Sequence, residues 1–212
     1  MRKGILLIIS GFAGSGKGTI VKELIRRYDN YALSVSATTR APRPGEVDGR
    51  EYFFKTRDEF EKMIAADEFL EHAEYVGNYY GTPRQYVDDM LNKGKDVILE
   101  IEMQGAFLVK EKCPEAALMF VMPPSAGEVY NRLKKRGTES EEVIMKRMRR
   151  GAEESREIGK YDFLIINDDL GECIGEVHNT VRCAKHAASR NSDTIDTIIK
   201  EFDEFLNNKE EG

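Results

Sequence analysis

The sequence predicts an α/β fold in which a parallel sheet carries helices on both faces. Four short apolar runs, separated by helical patterns, indicate buried strands: Gly4 to Ser10, Asp96 to Glu102, Ala116 to Met122 and Asp162 to Asn167. Strands that alternate with helices pair in parallel through right-handed crossovers. Because the ligands of such sheets bind at the carboxyl ends of the strands, we expect a functional cleft at that edge.

A glycine-rich segment follows the first apolar run and leads directly into a helical pattern. Its residues are Gly11, Phe12, Ala13, Gly14, Ser15, Gly16, Lys17, Gly18 and Thr19. A turn of this kind at a helix N-terminus leaves several backbone N–H groups free to bind one anion. Gly11, Gly16 and Lys17 fit the P-loop pattern G-x-x-x-x-G-K, in which the lysine reaches the β- and γ-phosphates of a nucleotide. The alternative is a connecting turn with a solvated lysine.

The position after the P-loop lysine departs from the usual pattern. A P-loop normally has Ser or Thr there to bind Mg²⁺, whereas this chain has Gly18. We therefore expect the metal to be held by phosphate oxygens, water and carboxylates from elsewhere, and Thr19 to contact a phosphate. Glu100 and Glu102 are the candidate carboxylates, because alternate residues of a strand share one side.

Composition narrows the class of protein. The chain has 212 residues, 41% hydrophobic and 33% charged, enough for one core that carries inserted lobes. No apolar run approaches the roughly 20 residues that span a bilayer, so we expect a cytoplasmic protein with no membrane partner. Its three cysteines and three histidines lack the spacing of metal ligands, and we predict reduced thiols and no zinc.

The charge is acidic overall but unevenly placed. A formal net charge of −6 argues against a nucleic-acid partner. Residues 131–150 carry eight Lys/Arg against three Glu, which marks a candidate anion clamp. Residues 191–212 carry seven Asp/Glu against two Lys, which is typical of a solvated helix and tail. The sequence carries no signal for an oligomeric state.

The pattern changes between residues 33 and 92, where we predict a small mixed α/β lobe inserted in the parallel fold. The predicted elements are strand pieces at 32–37, 51–54 and 70–76, a helix around 58–66 and a helix from Pro83. A helix follows from Ser125 to Arg136, and a capping box of Thr138 with Glu141 starts another through Arg156. The connection between these two helices is a natural lid. Residues 170–207 have a helical pattern.

Two arginines in the lobe form a candidate second anion site. Arg40 and Arg43 stand three apart across a proline-stiffened turn, after the hydroxyl-rich run at 34–39. Guanidinium groups bind phosphate bidentately, and hydroxyls satisfy the remaining oxygens. By itself this segment is a weak signal and is more typical of surface arginines in a loop.

The chain resembles the guanylate kinases in eight stretches that run in order. They are 34–46 (SVSATTRAPRPGE), 49–54 (GREYFF), 68–73 (EFLEHA), 77–83 (GNYYGTP), 99–106 (LEIEMQGA), 123–125 (PPS), 136–139 (RGTE) and 166–169 (INDD). The resemblance implies a single unit with a P-loop NTPase-type core over 1–32, 93–131 and 157–207. It also implies a GMP-binding lobe over 33–92 and a helical lid over 132–156.

The resemblance also implies the roles of individual residues. Those that hold the GMP phosphate are Ser36, Arg40, Arg43, Tyr52 and Tyr80. Glu71 and Thr82 read the base with help from Glu102, Asn167 lies by the adenine of ATP, and Lys17, Arg136 and Arg147 surround the transferred phosphate, with Arg132 on the same helix face as Arg136. Arg149 and Arg150 are interpreted as solvated.

The implied activity is phosphoryl transfer from ATP, with Mg²⁺, to GMP and dGMP. Guanine offers two adjacent N–H donors that one carboxylate accepts, and an O6 that a hydroxyl reaches. The chain departs from the family in Phe12 and Ala13 of the loop, in Gly18, and in Glu102 where Asp is common. Two alternatives stay open: a non-catalytic protein-binding module of the same fold, and a kinase of another phosphorylated acceptor such as a ribose bisphosphate.

Overall fold

The computed structural model describes residues 3–75, 77–137 and 139–210. Its strands are β1 (Leu6–Gly11), β2 (Tyr31–Leu33), β3 (Ala37–Thr38), β4 (Phe53–Phe54), β5 (Phe69–Tyr75), β6 (Asn78–Pro83), β7 (Asp96–Glu100), β8 (Ala117–Met122) and β9 (Phe163–Ile166). Its α-helices are α1 (Lys17–Arg27), α2 (Arg57–Ala65), α3 (Arg84–Asn92), α4 (Met103–Lys112), α5 (Ala126–Lys135), α6 (Glu141–Glu154), α7 (Leu170–Lys185) and α8 (Ser192–Glu210). Short 3₁₀ segments cover Ser155–Lys160 and Ala188–Arg190.

The core is a five-stranded parallel sheet in the order β2-β7-β1-β8-β9. The central strand β1 is apolar on both faces, because helices cover both sides. One face packs against α1 and α7, and the other packs against α3 and α4. The predicted α/β class, with helices on both faces of a parallel sheet, is confirmed.

The strand piece predicted at 32–37 is divided between two sheets. Its first part belongs to β2, which pairs with β7 at the edge of the core sheet. The Tyr31 ring is buried there, and its hydroxyl lies 3.0 Å from Nδ1 of His178 on α7. The second part forms β3, which belongs to the other sheet. Burial of Tyr31 against α7 is a tertiary contact that the local sequence does not reveal.

The segment between β2 and α3 forms a four-stranded sheet in the order β4-β3-β6-β5, together with helix α2. It has a small core of its own, in which the rings of Phe60 and Phe69 stack with centroids 4.4 Å apart. Helix α2 begins with a capping box in which Thr56 and Glu59 bond each other's backbone N–H. Strands β5 and β6 are antiparallel. The register of their pairing decides which of their side chains face the core sheet.

Two predicted helix boundaries differ from the structure. The predicted capping box rests on Thr138, which lies outside the described residues, and α6 is instead capped by Ser140, whose Oγ accepts from the N–H of Val143 at 3.5 Å. This helix gives way to a 3₁₀ segment at Ser155, short of Arg156. Residues 170–207, which have a helical pattern, contain two helices, α7 and α8, and a second 3₁₀ segment at 188–190 lies between them.

None of the helices in the described part of the chain is long and apolar enough to cross a membrane.

Candidate active site

The glycine-rich loop joins β1 to α1 at the carboxyl edge of the core sheet. Gly14 and Gly16 have φ angles of 82° and 91°, a region that residues with a Cβ rarely adopt. A Cβ at Gly16 would also lie 2.5 Å from Nδ2 of Asn167. Glycine is therefore required at position 16 for two independent reasons, and the loop presents its amides at the start of α1 as the sequence predicts.

Asn167 braces this loop from the end of β9. Its buried Nδ2 donates to the carbonyl oxygen of Ser15 at 2.8 Å. Its own carbonyl oxygen accepts from Nη2 of Arg132 at 2.9 Å, and Arg132 pairs with Glu128 on α5 at 2.7 Å. Sequence reasoning expected Asn167 beside adenine and did not predict this bond to the loop.

The hydroxyl of Ser15 points into the same loop. Its Oγ is buried and has no hydrogen-bond partner within the part of the chain that the structure describes. A buried hydroxyl without a partner costs about 1–3 kcal/mol, so this atom fits a site that receives a ligand oxygen.

Lys17 arches over the loop. Its Nζ donates to the carbonyl oxygens of Gly11 at 2.6 Å and Phe12 at 3.2 Å. Burial lowers the pKa of Lys17 below that of a free lysine, and the carboxylates of Glu102 and Glu100 oppose that shift. The ammonium group is thus held in a partly buried position from which it can reach an anion on the loop.

The two candidate carboxylates for the metal lie in different elements. Glu100 ends β7, whereas Glu102 is the N-cap of α4, so they are not on one strand as the sequence predicts. A Cβ at Gly18 would lie 3.7 Å from both carboxylate oxygens of Glu100, which places Glu100 beside the residue that lacks the usual hydroxyl. Burial raises the pKa of Glu100, and Lys17 opposes the rise.

A paired hydroxyl and carboxylate face the core from the lobe. Oγ1 of Thr82 donates to Oε1 of Glu71 at 2.6 Å. Burial raises the pKa of Glu71, and the bond from Thr82 opposes the rise. The other oxygen of Glu71 lies against the first turn of α4, where a Cβ at Gly105 would be 3.5 Å from it. Sequence reasoning gave Gly105 no role, although it lies within the resemblance.

The two lobe arginines share one acidic partner. Nη2 of Arg40 donates to both carboxylate oxygens of Glu46, at 2.8 and 3.0 Å, and the backbone N–H of Arg43 donates to Glu46 at 2.7 Å. The guanidinium of Arg40 also lies 5.3 Å from the ring centre of Tyr52, which packs edge-on against Tyr80. The arrangement fixes Arg40 next to the two tyrosines. Glu46 is the positioning residue that sequence reasoning missed.

A cleft of about 200 Å³ separates the lobe from the core sheet. Ser36, Tyr52 and Thr82 line it from the lobe, and Glu100 lines it from the end of β7. Ser34 lines it as well, and its buried Oγ finds no hydrogen-bond partner among the described residues. A larger cavity of about 450 Å³ lies at the opposite edge of the sheet and is lined by none of the predicted site residues.

The predicted lid arginines stand on α5 and α6 and are partly engaged. Arg136 caps the end of α5, and its charge contributes to the lowered pKa of Lys17. Arg147 pairs with Glu139 at 2.6 Å. Arg150, expected to be solvated, bridges Glu102 on the core at 2.8 Å. Since this pair is exposed, it contributes little stability and can be exchanged for other partners.

The comparisons with known proteins agree with this geometry. A family model described as guanylate kinase matches residues 3–184. A guanylate kinase of Caldanaerobacter subterraneus subsp. tengcongensis is 49% identical over 94% of this chain and 97% of its own, and one of Clostridioides difficile is 48% identical over 97% and 99%. The crystal structure of a guanylate kinase from Anaplasma phagocytophilum aligns with a TM-score of 0.67 at 34% identity, over 89% of this chain and 90% of its own.

The chain belongs to the guanylate kinase family. The matched residues include the glycine-rich loop, both sheets and helices α5 and α6, and they end before α8.

Proposed function

We propose that this protein transfers the γ-phosphoryl group of ATP to GMP and dGMP, forming ADP and the nucleoside diphosphate. The observation that carries the proposal is the cleft itself. Its lobe side supplies Ser36, Tyr52 and Thr82, and its core side supplies Glu100, on the strand next to the one that leads into the phosphate loop. An enzyme that aligns two phosphorylated nucleotides needs two anion sites, and we assign them to the glycine-rich loop and to the arginines of the lobe.

Guanine recognition is assigned to Glu71 and Thr82, with help from Glu102. The carboxylate of Glu71 accepts from N1–H and N2–H₂ of guanine, and the hydroxyl of Thr82 interacts with O6. Adenine has an acceptor at N1 and no amino group at C2, so it would leave the half-buried Glu71 unpaired. A site of this kind discriminates by roughly 10⁴-fold or more.

The phosphate of GMP is assigned to the residues around Arg40. They are Ser36, Arg40, Arg43, Tyr52 and Tyr80. The bond between Arg40 and Glu46 supports this role, because it holds the guanidinium beside the tyrosines before a ligand arrives. In this scheme residues 33–92 act as the acceptor lobe.

ATP is assigned to the loop residues 11–19 and to Asn167. Lys17 neutralises charge on the β- and γ-phosphates, and Arg136 and Arg147 approach the moving phosphoryl group from the lid over 132–156. Charge on the transferred group spreads over its oxygens, and fixed cations that contact those oxygens lower the barrier. Both lid arginines have exposed side chains, and the exposed pair of Arg147 with Glu139 can be exchanged for a contact with phosphate.

The residues near Gly18 fit a divalent cation that arrives with ATP. Carboxylate oxygen is the donor that Mg²⁺ prefers, and Glu100 offers it beside the loop, with Glu102 as a second candidate. No group of three His, Cys, Asp or Glu side chains that could hold a metal occurs in the described ranges. When bound, Mg²⁺ would neutralise the charge that develops on the transferred phosphoryl group.

An ADP-release assay tests the proposal, with Mg-ATP against GMP, dGMP, AMP, CMP and UMP in parallel. We expect turnover with GMP and dGMP alone. A ribose bisphosphate is included as a further acceptor, and turnover with it in place of GMP would contradict the assignment of Glu71. A protein that binds GMP yet turns over none of the acceptors would be the non-catalytic module instead.

A further inference from the structure

Ser34 carries a buried hydroxyl at the edge of the cleft between the lobe and the core. The residue lines the cleft, and its Oγ has no hydrogen-bond partner within residues 3–75, 77–137 and 139–210. A buried hydroxyl that is left unpaired destabilises a fold, and such groups are few in native proteins. Next to a cleft that is proposed to bind a nucleotide, an unpaired hydroxyl points to a contact that forms when the ligand arrives.

The backbone holds Ser34 on the core side of the cleft. Its N–H donates to the carbonyl oxygen of Ile98 on β7 at 2.9 Å, which extends the pairing of β2 with β7 by one residue. Two residues later the chain already belongs to the lobe, because the carbonyl oxygen of Ser36 accepts from the N–H of Phe53 on β4 at 2.9 Å. Ser34 and Ser36 are therefore held by different sheets, although only Val35 separates them.

Both serines line the same cleft, and they lie close enough to share one ligand group. Two residues of even a fully extended chain span at most about 7 Å. One phosphate group can accept from two hydroxyls at that separation, because each O–H···O bond adds about 2.7 Å. Ser36 and Tyr52 line the cleft beside Ser34 and belong to the proposed site for the GMP phosphate. The phosphate is therefore the part of the ligand nearest to Ser34.

The two carboxylates that line the cleft are turned to other partners. Glu51 pairs with Arg50 at 2.6 Å and accepts from the N–H of Val47 at 2.7 Å. Glu100 lies beside Gly18 of the glycine-rich loop. The Ser34 hydroxyl bonds to neither carboxylate within the ranges that the structure describes, so its proton is available to an incoming anion.

We propose that Ser34 is a further GMP-binding residue, whose hydroxyl turns about χ1 and donates to an oxygen of the GMP phosphate. The inference rests on the proposed function, in which GMP is the acceptor. A serine hydroxyl has three staggered positions, so the turn requires no movement of the backbone. Because Ser34 belongs to the core and Ser36 to the lobe, the bound phosphate joins the two sheets. This contact fixes the attacking phosphate against the core, where the donor binds.

Ser34→Ala tests the proposal by changing two measured quantities in opposite directions. Loss of an unpaired buried hydroxyl should raise the unfolding temperature of the ligand-free chain by about 2–4 °C. Loss of a bond to an anion should raise the dissociation constant for GMP at least about tenfold, as measured by titration calorimetry. Ser189→Ala, at an exposed serine outside this cleft, is the control and should change neither quantity. A lower unfolding temperature with an unchanged dissociation constant would show a purely structural role.

Related ligands identify the group of GMP that Ser34 contacts. We expect the same relative loss of affinity with dGMP as with GMP, because the two share the phosphate. We expect no loss with guanosine, which lacks it, as measured by competition against GMP. A loss with GMP but not with dGMP would assign the contact to the ribose, and an equal loss with guanosine would assign it to the nucleoside. Either result would overturn the phosphate contact.

The same titrations separate this inference from the function on which it rests. A wild-type chain that binds neither GMP nor dGMP would overturn the proposed function. A wild-type chain that binds GMP, with a dissociation constant that Ser34→Ala leaves unchanged, would overturn the role of Ser34 alone.

Discussion

The phosphate loop is shaped by its backbone, whereas the lobe across the cleft is shaped by pairs of side chains. In the loop, Gly14 and Gly16 have left-handed φ angles, and Asn167 bonds a carbonyl group of the chain. In the lobe, Thr82 holds Glu71 and Glu46 holds Arg40. The loop is therefore recognisable from a nine-residue motif, while the lobe depends on side-chain pairs, 11 and 6 residues apart, that no such motif joins.

The largest effect is expected on the loop side, where Lys17→Ala removes the only cation that the loop itself carries. We expect kcat for phosphoryl transfer to fall by about 10³-fold, because the charge on the β- and γ-phosphates loses its nearest counter-charge. Steady-state kinetics with Mg-ATP and GMP measures the loss. Lys22→Ala, an exposed lysine on the same helix, is the matched control and should keep normal turnover. Equal losses in both variants would mean that general charge, not loop geometry, is at work.

On the lobe side, Glu71→Gln keeps the size of the side chain and removes its charge. An amide presents N–H groups to the two N–H donors of guanine, so we expect KM for GMP to rise on the order of 100-fold with KM for ATP unchanged. Glu74→Gln, an exposed residue on the same strand, is the control. Because burial raises the pKa of Glu71, its ionised form is disfavoured in the fold, and this variant should unfold at a higher temperature near neutral pH. A lower unfolding temperature would contradict the burial argument.

Asn167→Asp tests whether the loop depends on its brace. A carboxylate oxygen would face the carbonyl oxygen of Ser15 in place of the N–H, so we expect about 1–3 kcal/mol of lost stability. We also expect KM for ATP to rise about tenfold while KM for GMP stays the same. Asp168→Asn, at the adjacent exposed residue, makes the reverse exchange and should change neither constant. Parallel changes in both KM values would show that the effect is general unfolding rather than loop geometry.

The GMP side of the site, through Glu71, and the ATP side, through Lys17, should lose activity at opposite ends of the pH range. Burial raises the pKa of Glu71, so kcat/KM for GMP falls as pH drops through a value above that of an ordinary glutamate. Burial lowers the pKa of Lys17, so kcat/KM for ATP falls as pH rises through a value below 10.5. The expected changes are several-fold within the stable range. Profiles measured separately for each substrate check them, and an acid limb that persists in Glu71→Gln would reassign it to another group.

The sequence predicts the core better than the connections. The alternation of apolar runs with helical patterns predicts the parallel sheet. A strand that is buried on both faces has apolar side chains throughout, whichever strands lie next to it. It misses the division of 32–37 between two sheets, because Tyr31 is placed by a contact with α7, more than 140 residues away in the chain.

Within the site, the resemblance supplies the residues and the structure supplies their relations. The roles of Arg40, Glu71 and Arg147 stay predictions, and the structure adds the partners that hold them. Glu46, Gly105 and the loop-bracing bond of Asn167 carry no chemical signature of their own. A carboxylate, a glycine and an amide are ordinary surface residues until the fold brings them against a site.

The sequence by itself determined the α/β class, the phosphate loop and the membership of a nucleotide-binding family, because each follows from short-range patterns that backbone geometry imposes. Only the tertiary structure decided that Glu100 lies beside Gly18, that Glu102 pairs with Arg150 on α6, and that the large apolar side chains of α8 are left exposed. These facts depend on how distant segments pack. Packing is fixed by the burial of the whole core rather than by any one segment.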